Sequence, residues 1–135
     1  MYHNILVPIS FDSERDVSGP LKLAQMLSTP EAQITLLHVV EHIPAYAISY
    51  MPADYLAEAR AAIQGELDAL ANTIPNGRGL VIEGHSGRSI LDWAEVNKPD
   101  LIIIASHRPG MQDLLLGSTA TQIVRHASCA VHVVR

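Results

Sequence analysis

Residues 102–127 read IIIASHRPGMQDLLLGSTATQIVRHA. The run opens as an apolar strand and closes as a helix, with Ile123, Val124 and Ala127 set inward by helical spacing. Between them, Gly117, Ser118 and Thr119 stand at the predicted helix start. A strand that empties through a loop into a helix is half of a βα unit. Repeated, such units make a parallel sheet.

The rest of the chain repeats the pattern. Apolar runs NILVPIS, ITLLHVV, GLVIEG, DLIIIAS and AVHVV are rich in Val, Ile and Leu and read as strands buried on both faces. The first spacer places Val17, Leu21, Ala24 and Leu27 at helical intervals, with Asp12 or Ser13 as caps and Gly19 and Pro20 weakening its first half. The second divides into EHIPAYAISYMPAD, read as a loop packed on the helix that follows, and a helix whose Leu56, Ala59, Ile63, Leu67 and Leu70 form one apolar face. In the third, Ile90, Leu91 and Ala94 form a stripe that stops before Pro99, Ser86 or Ser89 caps the start, and Trp93 belongs to the core. Alternating strands and helices predict an α/β fold with right-handed crossovers, and ligands bind beyond the carboxyl ends of such strands where strand order reverses.

A chain of 135 residues fits one domain and buries about two thirds of its unfolded surface without staples. The single cysteine, Cys129, lies in the apolar run SCAVHVV and reads as a small buried residue in a reducing compartment. A net charge of −5 with no basic cluster argues against nucleic acid as a partner. The N-terminus lacks a signal peptide's basic region and long apolar core, and no apolar run approaches the ~20 residues of a membrane span. The expectation is a soluble cytoplasmic protein.

Backbone N–H groups at a helix start lack intrahelical partners, and the summed peptide dipoles make that end positive. Gly117 allows close approach, Ser118 and Thr119 add hydroxyl donors, and His107 and Arg108 stand upstream to fold over a phosphate. The same residues also suit a plain helix start, with Ser118 as cap and Gly117 as turn. There is no G-x-x-x-x-G-K-[ST] and no G-x-G-x-x-G, which excludes an ordinary P-loop enzyme and a dinucleotide-dependent dehydrogenase. Seven histidines form no H-E-x-x-H, and His38 within TLLHVV reads as a hydrogen-bonded sheet residue. GHSGR resembles a nucleophile elbow, yet Arg88 stands where that motif needs glycine.

Taken in order, ILVPIS, ITLLHVV and LIIIASHRPG…LLLGSTATQIVRHASCAVHVVR resemble the universal stress protein family over the whole chain. The family's nucleotide-binding loop has the form G-x-x-G-(about nine residues)-G-[ST]. Here Ala105 and Arg108 occupy the places of the leading glycines, and eight residues separate Arg108 from Gly117. The ASHRP opening is similar to a bacterial subgroup that binds ATP. The resemblance implies a Rossmann-like open twisted sheet of five parallel strands, order 3-2-1-4-5, with helices on both faces, forming one domain over 1–135. It implies that Gly117, Ser118 and Thr119 hold the phosphates of ATP, AMP or ADP beside His107 and Arg108. Val39 would meet the adenine through its backbone, between Pro8 and Ala105.

Where the family commonly has Asp after the first strand, Ser10 stands here. A serine can hydrogen-bond a ribose or base but brings no charge to a magnesium ion. The last strand, AVHVVR, resembles the edge through which family members pair, which implies a homodimer. The implied function is a nucleotide-dependent regulatory module in the stress response that signals to a protein partner through the Arg108–Gly117 loop and HIPAYAISYMP. No catalytic apparatus is evident. With Arg108 and Arg88 the cations on offer, ATP hydrolysis would be weak at most, and a nucleotide-free interaction module is the other alternative.

Overall fold

The structure is a computed structural model that describes residues 1–11, 17–106 and 116–135. Along the chain run β1 (Tyr2–Pro8), α1 (Ser18–Leu27), β2 (Ser28–Val40), α2 (Ala45–Ile48), α3 (Tyr55–Ala71), β3 (Gly77–Glu83), α4 (Ser86–Asn97), β4 (Leu101–Ala105), α5 (Ser118–His126) and β5 (Ala130–Val134). The strands form one parallel sheet in the order β3-β2-β1-β4-β5, as the resemblance implied.

Alternation of side chains across the pleat divides the core in two. On one face Ile5, Val7, Ile34, Leu36 and Ile103 pack with Leu21 and Ala24 of α1 and Leu67 and Ala71 of α3. On the other, Leu6, Leu37, Ile102 and Ile104 meet Ile90 of α4 and Ala120 and Ile123 of α5. Each wholly buried Leu or Ile contributes about 1.5–3 kcal/mol relative to exposure. The three central strands carry most of these residues. β3 and β5, at the edges, are only half buried, so the expectation of burial on both faces fails for them. Side chains point to the two faces of the sheet, and at its edges the helix layers overlie those faces less fully.

The α3 stripe lies inward as its spacing predicts: Leu67 is fully buried and Ile63 and Leu70 pack against the core. Gly79 is needed where this helix crosses β3, because a Cβ there would sit 2.9 Å from Leu67 Cγ. In α5 Ile123 is buried and Ala127 partly so, but Val124 is 46% exposed. Ala120, one turn before Ile123, takes the inward place instead.

Two further expectations are corrected. HIPAYAISYMP is not a plain packed loop: it contains the short α2, which buries no residue, and Tyr46 and Tyr50 are 76% and 87% exposed. Helix caps also differ. α4 starts at Ser86 with His85 as its cap residue, and α5 starts at Ser118 with Gly117 in that role, so neither serine is the cap. α1 starts at Ser18 after Val17, and Asp12 and Ser13 lie outside the described residues.

The end of α4 locks the sheet's centre. Lys98 closes the helix in the left-handed region at φ 52°, and Asn4 Nδ2 donates to the Asn97 and Lys98 carbonyls at 3.1 Å each. Asp100 then accepts from the His3 and Asn4 backbone N–H groups at 2.8 and 3.0 Å. These bonds hold the start of β1 against the turn that launches β4. The same two strands separate again at their carboxyl ends.

Candidate functional site

Strand order reverses between β1 and β4: the chain leaves β1 toward β2 on one side and enters β4 on the other. The helices that follow the two strands pack on opposite faces, α1 on one and α5 on the other, and a crevice is left over the sheet's carboxyl edge. It has a volume of about 660 Å3 and is lined by the β1 exit at Pro8, Ile9 and Ser10 and the β2 end at Leu37, His38 and Val39. Ala105 and Ser106 at the β4 exit and Gly117, Ser118 and Thr119 at the α5 start complete that side. Val17 and Pro20 close one flank and Ser86 and Ile90 the other. Cavities of roughly 300–1,000 Å3 with apolar walls and a few polar groups suit small molecules and cofactors.

Seven of the residues predicted from sequence, Pro8, Ser10, Val39, Ala105, Gly117, Ser118 and Thr119, therefore line one crevice. His107 and Arg108 lie outside the described residues. Arg88 is not among the lining residues; its Nε is 3.4 Å from Asp92 Oδ1, and it borders a separate groove with Cys129. Sequence reasoning missed Glu41, just after β2, and Ser86 and Ile90 in the first half of α4, which border the crevice. A signal for them exists: each lies on the segment that leaves the carboxyl end of a predicted strand.

The polar corner is built by backbone. Ser106 is buried, donates its N–H to the Val134 carbonyl at 2.9 Å, and accepts at its own carbonyl from the Gly117 N–H. Gly117 is thus tied to the β4 exit, and its N–H is already engaged. The first intrahelical bond of α5 runs from Thr121 N–H to the Gly117 carbonyl, at 2.9 Å. Ser118, Thr119 and Ala120 precede it in the helix, so theirs are the N–H groups that a helix start leaves over. No acidic residue occupies the first turn of α5, so no side-chain charge there offsets its positive start. Gly117 adopts φ −64° and ψ 160°, which any residue tolerates. Its turn does not require glycine. What glycine leaves out there is a Cβ.

The opposite wall sets Pro8, Ile9, Leu37 and Val39 among the polar Ser10, His38 and Glu41, of which His38 is fixed by a hydrogen bond. His38 Nδ1 is 2.8 Å from the Ile9 carbonyl, and its ring stands 5.3 Å from Phe11 at a 48° tilt. The sheet role expected for His38 is present, and the same residue also lines the crevice. Chemically, the arrangement offers anion-binding donors at one end and an apolar slot with strand-end backbone at the other. Among the described residues, no helix is long and apolar enough to cross a membrane.

Comparison with known proteins agrees with this architecture. The model of the universal stress protein family matches residues 1–135. Universal stress protein A homolog 2 of Coxiella burnetii is 34% identical over 141 residues, covering 99% of this chain and 95% of that protein. The structure of the universal stress protein UspA from Lactobacillus plantarum superposes with a TM-score of 0.71 at 28% identity, over 99% of this chain and 98% of that one. A hypothetical protein solved as a test case of structural genomics gives a TM-score of 0.82 at 21% identity, over 99% and 96%. More distant structures of the same fold include a universal stress protein family protein from Arabidopsis thaliana with AMP bound (TM-score 0.63, 16% identity, 98% and 90% covered). Another is the universal stress protein of Archaeoglobus fulgidus in complex with dAMP (TM-score 0.62, 13% identity, 99% and 98% covered). From matched motifs, sheet order and whole-length similarity alike, the chain belongs to the universal stress protein family.

Proposed function

We propose that the crevice binds an adenine nucleotide, ATP in particular, and that this binding makes the protein a nucleotide-dependent regulatory module of the stress response, working as a homodimer in the cytoplasm. The observation that carries the reading is the meeting of two complementary ends in one cavity. The α5 start brings the leftover N–H groups of Ser118, Thr119 and Ala120, and the β2 end brings Val39 beside Pro8 and Ala105. Phosphate oxygens suit the first and a planar base suits the second. The AMP and dAMP held by the Arabidopsis and Archaeoglobus proteins support an adenine ligand for this fold.

The residues present fit such a ligand. Donors gather at the α5 start, Pro8, Val39 and Ala105 offer apolar contact, and Ser10 on the same lining carries a hydroxyl suited to a ribose. ATP would supply no chemistry beyond its own binding energy; the chain's residues bind and orient it. Regulation then follows from linkage: a partner that favours the nucleotide-bound arrangement tightens nucleotide binding by the same factor. His107 and Arg108 would complete the phosphate side, and a regulatory protein would read the nucleotide state through the Arg108–Gly117 connection and the exposed 41–52 segment.

The test is direct. Purified protein should release an adenine nucleotide on denaturation or gain thermal stability with ATP, by about 2.7 kcal/mol at a hundredfold excess over Kd. If neither occurs, a nucleotide-free interaction module replaces this reading.

A further inference from the structure

His38 does more at the crevice than pack in a sheet. The register pairs Pro8 with Leu37, and one step on, Ile9 N–H donates to the Leu37 carbonyl at 2.8 Å. In a parallel ladder a residue whose N–H reaches one partner carbonyl takes its own carbonyl bond from the N–H two residues further along that partner. The Ile9 carbonyl is therefore due a bond from Val39 N–H. Instead, the imidazole of His38 reaches it, with Nδ1 2.8 Å away. A carbonyl only accepts, so Nδ1 carries the hydrogen. Phe11, packed against the same ring, holds it in place from the departing β1 segment.

We propose that His38 is a positioning residue that takes up the Ile9 carbonyl in place of the next ladder rung and so leaves the Val39 backbone N–H open to the base edge of the nucleotide. The N–H and carbonyl of Val39 face the β1 side, as those of Leu37 do, because backbone direction alternates along a strand. Beyond Ile9, β1 has left the sheet, and the crevice occupies the place where a continuing strand would have paired. The ligand's base then takes the rung that β1 gives up. Recognition by such a donor and acceptor pair suits a planar heterocycle with an acceptor beside a donor, which an aminopurine offers. The inference rests on the nucleotide reading above for its ligand, but the exchange of one ladder bond for a side-chain bond belongs to the protein alone.

Amide hydrogen exchange and ATP affinity, measured on wild type, His38→Leu and His38→Asn, separate the roles. Asparagine places its Nδ2 where imidazole carries Nδ1, so it should keep the bond to Ile9; leucine cannot. In ligand-free wild type the Val39 amide should exchange about tenfold faster than that of Leu37. In His38→Leu it should slow, as Val39 N–H closes onto the Ile9 carbonyl, and ATP affinity should fall about tenfold, the worth of one hydrogen bond. His38→Asn should resemble wild type in both. A Val39 amide as protected as Leu37 in ligand-free wild type, or leucine and asparagine variants that behave alike, would overturn the assignment. If wild type fails to bind ATP, the nucleotide reading falls, while the exchange contrast between the two variants still decides what His38 does.

Discussion

Gly117 shows how little at the residue scale separates a scaffold position from a binding one. Its dihedrals suit any amino acid, and its N–H already serves the Ser106 carbonyl. The absent Cβ is therefore what the position contributes. Gly117→Val should still fold, losing about 1 kcal/mol as a poorer cap residue, yet lose the ATP-induced rise in melting temperature; an unchanged rise would show that phosphate does not approach there. Cys129 gives a second prediction. Burial pushes its thiol above the ordinary range, with Asp100 nearby adding to the effect and a backbone hydrogen bond partly opposing it. In the unfolded chain the thiol ionises first, so the folded state holds more protons over that interval and stability must decline as pH rises through and above the usual thiol range. Replacing Cys129 with Ala should flatten the alkaline end of the urea-derived stability profile; an identical slope in the variant would refute this.

Among the elements, periodicity identifies every strand and the four longer helices, because buried central strands demand continuous apolar runs and half-buried helices demand a stripe. What it cannot supply is the direction from which a helix meets the sheet. On the helical wheel Ala120 stands about 60° from Ile123 and Val124 about 100° in the same sense, so spacing alone leaves open how far round the apolar stripe meets the sheet. The structure chooses Ala120, whose small side chain permits α5 to sit close to the sheet while Val124 faces outward. Ile123→Ala should accordingly cost about 2–5 kcal/mol, whereas Val124→Ala should change stability by less than about 0.5 kcal/mol. Chemical denaturation of both variants checks this, and equal losses would contradict the packing. The β2 strand is longer than its apolar run, since Ser28–Gln33 extends it ahead of Ile34. Polar residues at a strand's exposed beginning carry no hydrophobic signal, which is why that portion was not legible.

Across the whole molecule, the position of the crevice is legible for a topological reason: residues after successive parallel strands must gather at one edge of the sheet. Pro8, Ser10, Val39, Ala105 and Gly117 are scattered over more than half of the sequence, yet each follows or ends a strand. His38 was legible as a sheet residue, but its position at the crevice was not, because that depends on a register that no single strand reveals. The same topology leaves β5 at the sheet edge with β4 on one side only. Its alternating half-buried and exposed residues make it a suitable seam for a second copy. Sedimentation at micromolar concentration should give a dimer; a monomer would remove the homodimer from the proposed function while leaving the crevice untouched.

The central claim is that leftover N–H groups at the α5 start and the freed backbone at the β2 end grip the two ends of one adenine nucleotide. Titrating ATP into isotopically labelled protein and following each backbone amide tests both ends at once. Saturable shifts should be largest at Ser118, Thr119, Ala120 and Val39. Spectra that stay unchanged at millimolar ATP, or shifts confined to other surfaces, would contradict it.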